Sequence, residues 1–102
     1  MAETDLESWA RGEIAQAGGL MLKTESPGTR GFPDNIVFWP NGVVHLLEFK
    51  FGDGPVARLQ TDLHGRIRMK GGSVFIPRDR AWITIYCRTY GRVARKPRRQ
   101  PH

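Results

Sequence analysis

Pro40-Asn41-Gly42, set between two apolar runs, constrains this chain more than any other segment, because it fixes a β-hairpin together with its register. Pro40 suits the second position of a type I turn and Gly42 the left-handed position that follows it. The loop then closes between Trp39 and Val43 as a three-residue connection with a bulge. A tighter loop on Asn41-Gly42 alone would place Pro40 in the closing pair, where its missing N–H leaves a ladder bond unmade. Counting outward from Trp39–Val43 pairs Phe38 with Val44, Ile36 with Leu46 and Asp34 with Glu48. All six share one face, since strand side chains alternate with period 2. Two carboxylates are therefore expected to face each other.

Directly opposed Cβ atoms lie about 4.5–5.5 Å apart, close enough for two carboxylates to repel and for one to keep a proton. A bound cation removes that conflict. Oxygen donors suit hard ions, and Mg²⁺ accepts one or two carboxylates while leaving positions for water and phosphate. The run from Val43 to Phe51 is otherwise nearly all apolar, so Glu48 and Lys50 are costly there unless paired or functional. A bare Glu-x-Lys also fits a solvated charged edge. Four features in combination carry the weight: the entry Gly31-Phe32-Pro33-Asp34, the matched hairpin, Glu48-Phe49-Lys50 on an apolar strand, and Gln60 on the segment after it.

Thr4 to Ala17 reads as a helix, with Leu6, Trp9, Ala10, Ile14 and Ala17 on one stripe and Gly18-Gly19 ending it. Leu20 to Glu25 reads as an edge strand, and residues 26–31 as a loop into the first carboxylate; Lys23, Ser26 and Arg30 are candidate phosphate contacts there. After the hairpin, Gly52-Asp53-Gly54-Pro55 turns the chain into a helix from about Val56 to Met69. On it Gln60, Leu63 and Ile67 recur at helical spacing, so Gln60 faces the sheet. Ser73–Ile76 and Trp82–Cys87 read as further strands. This order suits an α/β domain with a mixed β-sheet flanked by helices. His45 falls on the opposite hairpin face from Glu48, as a packing or surface group, whereas His64 follows Gln60 by four residues and could approach a substrate. Trp9, Trp39 and Trp82 suit core or interface anchors.

At 102 residues the chain has room for one modest core, expected over residues 1–90. Residues 91–102 are expected to form a basic, flexible tail. Residues 88–102 hold Arg88, Arg92, Arg95, Lys96, Arg98 and Arg99 and no acid, which accounts for the whole net charge of +6. Such a tail suits salt-sensitive phosphate contacts, through Arg92, Arg95 and Lys96 among others. With Cys87 alone there is no internal disulfide framework. No signal peptide or membrane span is visible, so a cytoplasmic protein without membrane partners is expected.

In their order and spacing, Gly18-Gly19, the segment from Lys23 to Asp34, Glu48-Phe49-Lys50 and Leu59-Gln60 resemble the VRR-NUC group, the virus-type replication-repair nucleases of the PD-(D/E)XK superfamily. The resemblance spans roughly Glu3 to Ile76 and implies a restriction-endonuclease-like core. It implies Mg²⁺ or Mn²⁺ held by Asp34, Glu48 and the backbone carbonyl of Phe49, with Lys50 at the attacking water or scissile phosphate and Gln60 beside it. It also implies an acidic ligand from the first helix, Glu3 in first place and Glu7 in second; Glu13 falls on the same face as Leu6, Trp9 and Ala10. The implied activity is hydrolysis of DNA, including branched substrates such as Holliday junctions, in viral or phage replication or repair, by a homodimer in the host cytoplasm. Two other classes fit the sequence: a non-catalytic nucleic-acid-binding module with the nuclease fold, and a small toxin or host-interaction protein acting through its tail.

Overall fold

The computed structural model of the protein describes residues 3–25, 28–52 and 54–91, the Glu3 and Thr4 side chains excepted. Its elements are α1 (Glu3–Gln16), β1 (Leu20–Lys23), β2 (Asn35–Phe38), β3 (Val44–Leu47), α2 (Arg58–Met69), β4 (Val74–Phe75) and α3 (Arg80–Tyr90). The strands form one sheet in the order β1-β2-β3-β4. The first two pairings are antiparallel and β3–β4 is parallel, which requires a crossover, supplied by α2. The result is the mixed sheet of an α/β domain.

The hairpin register is the one its turn chemistry dictates. Phe38 pairs with Val44, Val37 with His45, Ile36 with Leu46 and Asn35 with Leu47. The Trp39 N–H donates to Val43 O at 2.9 Å, the Gly42 N–H donates to Trp39 O at 3.0 Å, and Gly42 sits at φ +84°, where a side chain would be strained.

Alternation then divides the sheet. Met21, Val37, Trp39, Leu47 and Phe49 face α1 and α3 and form the core with Leu6, Ala10, Ile14, Ile83 and Tyr86. Within this core the Tyr86 hydroxyl accepts from Trp39 Nε1 at 3.1 Å and meets His45 Nδ1 at 2.6 Å, so His45 is a packing group satisfied by the protein. The other face carries Leu20, Leu22, Ile36, Phe38, Val44 and Leu46. Four of these, Leu20, Leu22, Phe38 and Val44, are between 41% and 52% exposed.

One expected element is different. Trp82–Cys87 is not a strand but the middle of α3. The β-branched run Ile83-Thr84-Ile85 favours a strand locally. The apolar positions, however, recur at helical spacing: Ile83 and Tyr86 are buried, Trp82 and Cys87 half-buried, and Thr84 and Ile85 exposed. Asp79 caps the helix by accepting the Trp82 N–H at 2.8 Å, and packing overrides propensity.

Candidate functional site

Asp34 and Glu48 lie just beyond the paired ends of β2 and β3, and Glu48 is 2% exposed. The β3 line continues past Leu47 as a parallel ladder: the Glu48 N–H donates to Phe75 O and the Lys50 N–H to Pro77 O. Glu48 is thereby fixed by backbone on one side while its carboxyl points under α2. Asp34 is fixed by Thr24, whose N–H donates to Asp34 O at 2.8 Å and whose hydroxyl donates to Pro33 O.

Pro33 has a second effect. Trp39–Val43 is a hydrogen-bonded pair, so antiparallel alternation makes every second pair back along the hairpin hydrogen-bonded as well, as far as Asn35–Leu47, where the pairing stops; the next such position would set Pro33 opposite Phe49. Proline has no N–H to donate. The Phe49 carbonyl is left without a ladder partner, beside Glu48.

Four side chains converge here. Lys50 Nζ stands 3.8 Å from Glu48 Oε2, and Asp34 and Gln60 are the other side chains that act on the Glu48 carboxyl. Gln60 is held by its own helix start, with Oε1 accepting the Ala57 N–H at 3.3 Å. Gly31 makes this approach possible. It has φ +82°, and a Cβ there would stand 2.7 Å from the Leu59 carbonyl oxygen, so only glycine lets the Asp34 loop press on the first turn of α2. The Glu48 carboxyl is pushed up to about 7, first by burial and then by Asp34, against the opposing effects of Lys50 and Gln60. Its Oε1 is buried with no hydrogen-bond partner among the described residues.

A carboxylate pair, Glu48 buried with one orphaned oxygen and Asp34 half-buried, fits a hard divalent cation. Among the described residues no group of three or more His, Cys, Asp or Glu gathers into a metal cage. The oxygen atoms present are two carboxylates and the Phe49 carbonyl, a sparse set of the kind Mg²⁺ would accept while keeping water.

Glu7 is buried on α1 and joins the Asp34 segment from the other side of the sheet. Its Oε1 accepts from Asn35 Nδ2 at 3.1 Å and its Oε2 from Lys23 Nζ at 2.8 Å. Lys23 is thus held above its ordinary value, first by this hydrogen bond, with Asp34 adding to it. The buried Asn35, invisible in any motif, is what ties Glu7 to the hairpin. The Glu3 side chain lies outside the described residues, as do Ser26 and the tail residues Arg92, Arg95 and Lys96. Arg30 is exposed on the loop before Asp34. Cys87 is a free thiol whose burial pushes it up to about 11, consistent with a packing group. Among the described residues no helix is long and apolar enough to cross a membrane.

No family model matches the chain. Over 74 residues it is 32% identical to "Putative nuclease p44" of Acyrthosiphon pisum secondary endosymbiont phage 1, covering 72% of this chain and 80% of that protein. It also superposes on a solved structure described as "VRR_NUC domain" with a TM-score of 0.79 and 27% identity, covering 86% of this chain and 96% of the other. By sequence and by fold the protein is nuclease-like, and the chain belongs to the VRR-NUC family of the PD-(D/E)XK nuclease superfamily.

Proposed function

We propose that this protein is a divalent-metal-dependent nuclease that hydrolyses DNA phosphodiester bonds. The observation that carries this reading is the Glu48 carboxyl, buried yet partly unsatisfied, beside Asp34, Lys50 and Gln60. Asp34, Glu48 and the Phe49 carbonyl hold Mg²⁺ or Mn²⁺, which when bound polarises the scissile phosphate and lowers the pKa of water. Lys50, 25% exposed, reaches from the buried carboxyl toward the open side of the site, where it stabilises charge developing on the phosphate. Gln60 orients the Glu48 carboxyl.

Substrate selection rests on backbone and shape rather than base edges, because cations outside the site, Arg30 and the tail arginines among them, are suited to phosphates. Branched DNA from viral or phage replication or repair is the proposed substrate, in keeping with the phage origin of the 32%-identical relative. A homodimer is proposed as the acting form. The exposed apolar face formed by Leu20, Leu22, Phe38 and Val44 supports it.

Labelled single-stranded, duplex, flap and four-way DNA, each titrated with Mg²⁺ and Mn²⁺, test the proposal. Cleavage is expected in metal and not in EDTA. Asp34→Ala and Lys50→Ala are expected to abolish it while DNA binding persists. Equal cutting by both variants, or DNA binding by the wild type without cutting in any metal, refutes it; the latter would identify a non-catalytic binding module.

A further inference from the structure

Two histidines are buried to the same degree and treated differently. His45 is satisfied by the Tyr86 hydroxyl, whereas His64, 1% exposed on α2, has no hydrogen-bond partner among the described residues on either ring nitrogen. A neutral imidazole carries one donor and one acceptor, and leaving both unmade in a buried position is unfavourable. An apolar residue would fill the same place without that penalty.

What surrounds His64 indicates why it is kept. It follows Gln60 by one helical turn, on the same side of α2 and about 6 Å further along the axis. The charged groups that act on the ring are Asp34 and Lys50 from the site and Arg68 from its own helix. Burial, Arg68 and Lys50 all favour the neutral ring over the charged one, outweighing Asp34. A buried hydrogen-bonding group without a partner among the described residues therefore lies one helical turn from Gln60, within electrostatic range of Asp34 and Lys50.

Building on the metal-dependent reading above, we propose that His64 is a positioning residue, whose ring hydrogen-bonds the hydration shell of the cation held by Asp34 and Glu48. It holds that water in place and raises the affinity for the ion, without itself ligating metal or touching DNA. Outer-shell groups of this kind typically alter metal affinity about 10- to 100-fold when removed.

The role separates cleanly from packing, because the two make opposite predictions for one variant. In His64→Leu the unmet polar atoms disappear, so the melting temperature in EDTA is expected to rise. The Mn²⁺ dissociation constant, measured by calorimetry without substrate, is expected to weaken about 10-fold or more. His64→Gln, which keeps a donor and an acceptor, is expected to recover most of that affinity. On the wild-type chain the ¹⁵N shifts of the His64 ring are expected to move when Mg²⁺ is added. A raised melting temperature with Mn²⁺ affinity within twofold of wild type overturns the proposal, as do ring shifts that stay still at saturating Mg²⁺; the shifts decide the matter even if neither variant folds. If the wild type binds no Mn²⁺ at all, the nuclease reading fails and this inference with it. If the wild type binds and His64 is indifferent, only this inference fails.

Discussion

Replacing Glu48 by glutamine removes a charge and keeps the shape, and its effect can be worked from the burial of that side chain. The folded-state carboxyl titrates at about 7 against 4.5 for an ordinary glutamate, first through burial and then through Asp34. The folded protein therefore holds the Glu48 proton where the unfolded chain has lost it. Its contribution is fully present below pH 4.5 and is lost as pH rises through 7, so that in EDTA at pH 8 the metal-free protein is less stable by about 3 kcal/mol than with the group neutral. Glu48→Gln is expected to recover much of this. At about 4–8 °C per kcal/mol for a domain of this size, the melting temperature at pH 8 rises on the order of 10 °C, with little change at pH 5. His45 and His64, both lowered first by burial, run the opposite way. They gain stability as pH rises toward 6.5, but both are present in the two proteins and cancel in the difference. Thermal unfolding from pH 4.5 to 8.5 in EDTA measures that difference directly. Adding Mg²⁺ should then stabilise the wild type and leave Glu48→Gln nearly unchanged, since only a ligand bound to the folded state shifts the transition. A difference between the two proteins that is the same at pH 5 and pH 8 would refute the reasoning.

Three further perturbations follow from the fold. Gly31→Ala places a Cβ against the Leu59 carbonyl at φ +82°, so it should cost about 1–3 kcal/mol and weaken Mn²⁺ binding by pushing the Asp34 loop off α2. Gly42→Ala has the same positive φ in open space and should cost about 1–2 kcal/mol with metal affinity unchanged; urea unfolding and calorimetry check both. Phe38→Lys, on the exposed apolar face, should shift sedimentation toward a monomer while the far-ultraviolet spectrum stays the same, and an unchanged sedimentation coefficient would remove that face from the dimer proposal.

The hairpin was legible because two independent local rules agree on it. Turn chemistry at Pro40 and Gly42 and the period-2 alternation of Phe38, Ile36, Val44 and Leu46 specify one register. The carboxylate pair at its open end follows without further assumption. α3 was not legible from propensity, since Ile83-Thr84-Ile85 favours a strand; the signal lay in Asp79 ahead of Trp82 and in the spacing of Ile83, Tyr86 and Cys87. The positioning groups were hidden for a different reason. Asn35 reaches Glu7 across 28 residues and Thr24 holds the Pro33-Asp34 segment, neither of which leaves a pattern in local sequence. Gly31 reads only as a loop glycine until Leu59 is placed beside it.

The central claim is that Asp34 and Glu48 together hold a divalent cation. Calorimetric titration of Mn²⁺ into the wild type, Asp34→Asn and Glu48→Gln tests it without substrate or turnover. The account predicts saturable binding at millimolar concentration or tighter in the wild type and its loss in each variant; no binding in the wild type, or equal binding in all three, would contradict it.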